Sequence, residues 1–182
     1  MMLHRQDGKG RTMMKTTNLL KCLAMSAAVV LGSAHTLSAG SNNANLNVSS
    51  SVVANCTIST LPIAFGAYDP VGVNATANDD DAGSVIVACT KGTSATIGLG
   101  LGANASGSVR RMKDATTDYL TYELYQETGR TTVWGTTGAG LLSIGAAPSK
   151  AARTFSVYGR IPSGQDLPAG SYTDTVVATV TF

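Results

Sequence analysis

Apolar and polar residues alternate at every second position through much of this chain. From Leu46 to Ile58 the even positions are mostly apolar, whereas the odd positions are mostly Asn, Ser and Thr. Successive side chains of a β-strand point to opposite faces, so this pattern predicts strands with one buried face. The other segments predicted as strands are residues 61–65, 85–89, 95–101, 119–126, 131–134, 155–161 and 172–182.

The segments between these strands are rich in glycine and asparagine, which favour turns. After residue 39, no stretch has the i, i+3, i+4 apolar spacing of a capped amphipathic helix. Short strands with such turns predict one all-β domain, an antiparallel sandwich. Two charged stretches, Asn78–Asp81 and Arg110–Lys113, are predicted to be solvated turns rather than calcium or phosphate sites.

Residues 1–39 have the order of a secretory signal peptide. Lys15 and Lys21 precede an apolar run from Cys22 to Leu31, and small residues lead to a predicted cleavage after Ala39. The apolar run has about half the length of a membrane-spanning helix. A buried N-terminal helix is the alternative reading, and cleavage after Ala34 is the second choice of site.

Loss of this segment would change the chemistry available to the chain. The full chain has a net charge of +2, but residues 40–182 hold eight basic and ten acidic residues, and both histidines, His4 and His35, are lost. A chain without histidine has no Ser-His or Cys-His catalysis and no imidazole metal ligand. We therefore predict no catalytic residue, no metal, no cofactor, no nucleic acid partner and no membrane span. Asp114 and Asp118 are the remaining enzyme candidates, but they lie in a polar turn.

Two cysteines, Cys56 and Cys89, remain after the signal segment. In a secreted chain, an even pair of cysteines predicts a disulfide. Two free thiols are the alternative, which an oxidising compartment disfavours. Two cysteines without histidine make a poor zinc site.

The alternating segment ahead of Cys56 has no evident partner. The chain ends at Phe182 inside a predicted strand, and residues 40–44 lead into the alternation from Leu46. This segment could pair within its own sheet, or it could complete the sheet of a neighbouring molecule. Alternation identifies a strand but not its partner, so the residues alone leave both possibilities open.

Several motifs together resemble the spore coat protein U domain family. The run Phe65–Pro70 is similar to the FGxYDP element of that family, and Val85–Cys89 is similar to the strand with its second cysteine. The other matching stretches are Arg110–Met112 with Tyr119–Tyr125, Trp134-Gly135, Tyr158–Ile161 and Ala169–Val176. The resemblance covers nearly all of residues 44–182.

This resemblance implies a secreted pilin of the archaic chaperone–usher pathway. The implied fold is an incomplete immunoglobulin-like antiparallel sandwich that lacks its final strand and has an N-terminal donor strand. A periplasmic chaperone would fill the gap until an outer-membrane usher exchanged it for the donor strand of the next subunit. The product would be an extracellular pilus on the cell surface, used in adhesion and biofilm formation.

The resemblance also implies roles for particular residues. Residues 40–53 would be the donor-strand extension and residues 54–182 the pilin domain. The side chains entering the neighbour's groove would be Ala44, Leu46, Val48, Ser50 and Val52. The closing strand would line the acceptor groove with Val176, Ala178, Val180 and Phe182. The disulfide between Cys56 and Cys89 would join the strand after the donor segment to a core strand.

Two further functions remain as alternatives. A tip adhesin or secreted carbohydrate-binding module could use Tyr119, Tyr122, Tyr125 and Trp134 as a sugar platform. However, Tyr122 falls on the opposite face of its strand from Tyr119 and Tyr125, which predicts core packing plus ordinary strand surface. A secreted enzyme would depend on the pair Asp114 and Asp118 and is the weakest of the three.

Overall fold

The structure, a computed structural model, describes residues 38–182. All regular elements lie in the compact unit of residues 48–182. They are β1 (Cys56–Leu61), β2 (Asp79–Cys89), β3 (Ser94–Leu99), β4 (Arg110–Lys113), β5 (Tyr119–Tyr125), β6 (Leu142–Ala146), β7 (Arg153–Ile161) and β8 (Ala178–Thr181), with 3-10 turns at Val73–Ala75 and Gly138–Gly140. Residues 38–47 are exposed and have no regular structure. The predicted signal peptide lies almost entirely outside the described residues.

The strands form two antiparallel sheets. A five-stranded sheet has the order β1-β2-β7-β5-β4, and a three-stranded sheet has the order β6-β3-β8. The core lies between the two sheets and includes Val85, Val87, Ile97 and Val157. In β5 the buried residues Leu120, Tyr122 and Leu124 alternate with half-exposed ones, as the period-two pattern predicted. The prediction of an all-β antiparallel sandwich is confirmed. No helix within residues 38–182 is long and apolar enough to cross a membrane.

Several predicted strands are shorter than the alternation suggested. Of residues 46–58 only Cys56–Ile58 lie in a strand, and β1 then ends at Leu61, immediately before Pro62. Proline lacks the backbone N–H that a continued ladder would need. Of residues 172–182 only Ala178–Thr181 form a strand, and residues 131–134 form none. Alternation marks a segment that can pair, but a strand also needs a neighbour along its whole length.

Two charged segments that were predicted to be solvated turns are strands instead. Asp79–Asp81 begin β2, where Asp80 accepts two hydrogen bonds from Arg160, from Nε at 2.7 Å and Nη2 at 2.8 Å. The nitrogen Nη1 of Arg130 lies 3.3 Å from the same carboxylate. The hydrogen bonds from Arg160 hold the pKa of Asp80 below its ordinary value. These arginines reduce the repulsion among the aspartates, so a run of three carboxylates can pair with β7.

The second mispredicted segment contains the most buried charge of the structure. Arg110 begins β4 and is 1% exposed. Its guanidinium donates to the carbonyl oxygens of Leu99, at 2.9 Å, and Gly100, at 2.8 Å from Nη2. It also donates to the carbonyl of Trp134, at 2.6 Å, and pairs with the carboxylate of Glu123. Arg110 therefore ties the edge of the five-stranded sheet to the end of β3 in the other sheet.

Trp134 makes a second connection between the sheets. Its backbone N–H donates to the carbonyl of Leu124 in β5, at 2.8 Å. Its indole Nε1 donates to the carbonyl of Ile97 in β3, at 2.9 Å, and the side chain is fully buried. Arg110 and Trp134 contact each other, so the two connections form one hydrogen-bonded unit.

Replacement of Arg110 should destabilise the fold strongly. Arg110→Met would leave the Glu123 carboxylate without its cation and three carbonyls without their side-chain donor. Loss of one partner of a buried ion pair costs about 3–5 kcal/mol. Arg110→Lys should recover little, because an ammonium cannot reproduce the planar fork. Chemical denaturation followed by tryptophan fluorescence measures the effect.

The neighbouring Arg111 provides the control. It is half-buried, stacks on Tyr119 at 4.0 Å and donates a single hydrogen bond to the carbonyl of Asn104. Arg111→Met should therefore cost about 1 kcal/mol. Equal losses for the two substitutions would contradict the role assigned to Arg110.

The predicted disulfide is present. Cys56 of β1 and Cys89 of β2 are directly paired across the two strands, with an S–S bond of 2.07 Å. The bond joins residues separated by 33 positions in sequence. It fastens β1, an edge strand with one neighbour, to a strand in the interior of its sheet.

Loss of this bond should lower the free energy of unfolding. In the chain-entropy model a loop of this length gives about 3–4 kcal/mol. Urea denaturation with and without a reductant measures the effect, and a Cys56→Ala, Cys89→Ala variant controls for other actions of the reductant. A midpoint unchanged by both treatments would contradict the expected contribution.

Candidate functional site

An apolar cleft opens between the edges of the two sheets. One wall is formed by residues 60–65, which include the end of β1, and the other by residues 172–178, which lead into β8. The cleft has two adjacent parts of about 440 Å³ and about 550 Å³, both lined by Ile63, Phe65, Met112 and Tyr172. Its floor includes the core residues Val85, Leu99, Leu124 and Val157. These floor residues are buried, so the apolar surface that the cleft opens to solvent belongs to half-exposed residues packed on them, Ile63, Phe65, Met112 and Val176.

The wall of residues 172–178, here called the closing segment, uses its odd-numbered residues to bond the body. Thr173 exchanges two hydrogen bonds with Lys113, at 2.8 and 2.9 Å. The carbonyls of Thr175 and Val177 accept from Ala103 and Gly100. In an extended chain, the backbone groups of the even residues point the other way, toward the cleft. Within residues 38–182, the backbone N–H and C=O groups of Asp174 and Val176 have no hydrogen-bond partner.

The opposite wall of the cleft also presents backbone groups that no described residue bonds. From Ile63 to Ala67, no backbone group makes a hydrogen bond to any other described residue. The side chains of Ile63 and Phe65 pack on the core but remain half-exposed. The cleft thus has apolar side chains and free backbone groups on both sides, which an inserted extended strand can satisfy.

Two of the four predicted groove residues line this cleft. Val176 and Ala178 line it. Val180 is half-buried against the core, opposite Ile97 of β3, and the 54%-exposed Phe182 lines neither part of the cleft. The sequence analysis missed Ile63, Phe65 and Met112. The alternation at residues 61–65 could have indicated Ile63 and Phe65, but it was interpreted as an ordinary strand.

The predicted donor side chains are exposed. Leu46 and Val48 are each 87% exposed and Val52 is 86% exposed, while Ala44 and Ser50 are also exposed. The chain becomes fixed only near Asn55, whose carbonyl accepts from the backbone N–H of Thr90 at 2.8 Å. No residue from 48 to 55 lines the cleft. Their role as a donor strand stays a prediction.

One polar cluster interrupts the cleft. The carboxylate of Asp174 accepts from the hydroxyl of Tyr122 at 2.7 Å. Its other oxygen accepts from the backbone N and from Nδ2 of Asn104, each at 3.1 Å. Gly102 is required beside it, because its φ is +93° and a Cβ there would lie 1.9 Å from Asp174 Oδ2. Burial, and then the contact with Asp174, raise the pKa of Tyr122, so the hydroxyl remains a donor.

The alternative sites do not assemble. Trp134 is fully buried and Tyr122 is 6% exposed, so the four aromatic residues form no surface platform, and the prediction of core packing is confirmed for these two. Asp114 and Asp118 lie in the turn between β4 and β5, where the hydroxyl of Thr116 donates to Asp114 at 2.6 Å and lies 3.4 Å from the carboxylate of Asp118. Among the described residues, no cluster of His, Cys, Asp and Glu side chains could hold a metal ion.

Comparison with known proteins places the chain in a family. The family model of the Spore Coat Protein U domain matches residues 42–179, and the chain belongs to this family. It is 40% identical over 173 residues to Protein U from Myxococcus xanthus, which covers 87% of this chain and 95% of that protein.

A solved structure is similar in fold. It is the CsuC–CsuE chaperone–tip adhesion subunit pre-assembly complex from archaic chaperone-usher Csu pili of Acinetobacter baumannii, with a TM-score of 0.54 and 21% identity. The match covers 72% of this chain and 40% of that chain. This likeness, with the open side of the sandwich, confirms an incomplete immunoglobulin-like antiparallel fold.

A substitution under the cleft wall tests how tightly Phe65 packs. A Cβ on Gly159 of β7 would lie 2.5 Å from Cζ of Phe65 and 3.3 Å from Cδ1 of Ile63. Gly159→Ala should displace the ring and lower stability by about 1–3 kcal/mol, the usual cost of overpacking.

Gly66 provides a matched control in the same wall, because a Cβ there meets no atom within 4 Å. Gly66→Ala should leave stability nearly unchanged. Thermal denaturation of the two variants compares them, and equal midpoints would show that Phe65 is not packed on Gly159.

Proposed function

We propose that this protein is a structural subunit of a cell-surface pilus, assembled by donor-strand complementation through a chaperone–usher pathway. The observation that carries the proposal is the cleft, whose two walls present half-exposed apolar side chains and backbone groups that have no hydrogen-bond partner among the described residues. An exposed segment with alternating apolar residues in the same chain matches what such a cleft needs. In this proposal residues 40–53 are the donor extension and residues 54–182 the domain that accepts a donor.

The interactions available are strong enough for a lasting joint. Burial of Leu46, Val48 and Val52 would contribute roughly 5–9 kcal/mol in total, at roughly 1.5–3 kcal/mol each. Each ladder hydrogen bond adds about 1 kcal/mol net, at a cost in conformational entropy for each residue ordered. No covalent bond between subunits is needed.

The comparisons support the partners in this proposal. The structure from Acinetobacter baumannii pairs a subunit of similar fold with a chaperone. By analogy, a periplasmic chaperone would cover the cleft of this chain after export, and an outer-membrane usher would exchange it for the donor segment of the next subunit. The finished pilus would be extracellular and would support adhesion and biofilm formation.

Deletion of the donor segment should separate folding from assembly. A chain without residues 40–50 should still bind its chaperone, because the cleft is intact, but it should form no subunit ladder. Gels of samples kept unheated in SDS detect such ladders, which disappear on boiling, and electron microscopy detects fibres.

A control variant keeps the apolar face of the segment. Ser49→Asp with Ser51→Asp changes only odd positions, which face away from the cleft in an inserted strand, so ladders should persist. Fibres built from the truncated chain would contradict the assignment of residues 40–53.

A further inference from the structure

The carboxylate of Asp174 is the only charged group lining the cleft as the structure describes it. It accepts hydrogen bonds from Tyr122 and twice from Asn104. A carboxylate has about four acceptor sites, so room for one more donor remains. No ion pair to Asp174 occurs among the described residues. A strand that fills the cleft with apolar side chains alone would bury this site without a partner.

The exposed alternating segment has one polar residue at its even positions. From Ala44 to Val52 these positions are Ala, Leu, Val, Ser and Val, and the hydroxyl of Ser50 is a hydrogen-bond donor. The even positions of the chain from Tyr172 to Val180 also contain one residue that is charged, Asp174. The hydroxyl of Ser50 in the first series can therefore donate a hydrogen bond to the carboxylate of Asp174 in the second.

These two positions coincide in a single antiparallel register. With Ser50 opposite Asp174, the other four pairs of even residues are all apolar or aromatic. They are Ala44 with Val180, Leu46 with Ala178, Val48 with Val176, and Val52 with Tyr172. A slip of two residues places Ser50 against Val176 or Tyr172 and a valine against Asp174. Either slip buries polar groups without partners.

A parallel arrangement satisfies the walls less well. With Ser50 beside Asp174, it would place Leu46 and Ala44 opposite Gly170 and Pro168. Proline has no N–H for the ladder, and the free backbone groups of Val176 would face only the last residues of the segment. In the antiparallel register, the inserted strand runs beside the closing segment and β8 from Tyr172 to Val180.

We propose that Asp174, held in place by Tyr122 and Asn104, recognises Ser50 of a second copy of this chain and so fixes the register of the inserted strand. The inference rests on the proposed function, because that proposal places residues 44–52 of a second copy in the cleft. It makes Asp174 a specificity residue, which selects among registers that bury similar apolar surface.

Cross-linking between full-length chains tests the register. One chain has Val48→Cys and a second has Val176→Cys, a pair whose Cα atoms would lie about 5.5 Å apart and so permit a disulfide. The same donor chain is mixed separately with Ala178→Cys and Tyr172→Cys chains, which report a slip and the parallel arrangement. Under glutathione oxidation, the first pair should cross-link at least about tenfold more than either other pair, since an unpaired buried polar group is that unfavourable.

Substitutions at Ser50 connect the register to the hydroxyl. Adding Ser50→Val to the donor chain should remove the preference for Val176→Cys over Ala178→Cys, the two antiparallel registers, whereas Ser50→Thr, which keeps the hydroxyl, should retain it. Ser49→Val is the matched control on the other face of the strand and should change nothing.

The outcomes distinguish two failures. Cross-links and SDS-resistant ladders without preference for Val176→Cys would overturn the register and leave strand donation standing. A preference for Val176→Cys over Ala178→Cys that survives Ser50→Val would do the same. Dominance of the Tyr172→Cys pair would overturn it too, in favour of a parallel strand. The absence of both ladders and cross-links in every mixture would overturn the proposed function itself.

Discussion

The buried guanidinium of Arg110 connects the two sheets through side-chain hydrogen bonds. Its hydrogen bonds reach β3, Trp134 and Glu123, so one side chain in β4 bonds to both layers of the sandwich. A desolvated arginine is tolerated only when its donors are satisfied, and the carbonyls around it supply acceptors. Arg110 and Trp134 therefore hold the two sheets together beside the cleft, whose lining includes Leu99.

The open side explains several features that would be odd in a complete sandwich. Apolar residues such as Ile63, Phe65 and Val176 pack against the core and yet remain half-exposed. Backbone groups beside them have no hydrogen-bond partner within residues 38–182, although they border a hydrophobic floor. Such groups are normally satisfied, so their concentration along one cleft indicates a missing strand rather than a loose surface. The fold, the disulfide and the family membership agree with this interpretation.

Alternation alone predicted β3, β5 and β7, which have neighbours on both sides, as well as the second half of β2 and the class of fold. It wrongly predicted strand at residues 46–55 and 172–177. Periodicity shows that a segment can form a strand, but it does not show whether a neighbouring strand is present to pair with it. It missed β6 and β4, the latter because the charge of Arg110 implied solvent. Likewise, the Val176 and Ala178 wall was predictable, but the contact of Tyr122 with Asp174 joins residues 52 positions apart and depends on tertiary packing.

The position of the disulfide has a mechanical consequence. The exposed segment joins the folded body immediately before Cys56, at the first residue of β1. Tension on that segment therefore reaches the covalent bond to Cys89 before it can peel β1 from β2. The load passes into β2, which has neighbours on both sides, and the edge strand is bypassed. A pull along the N-terminal segment would have to disrupt the interior of the five-stranded sheet before the body unravels.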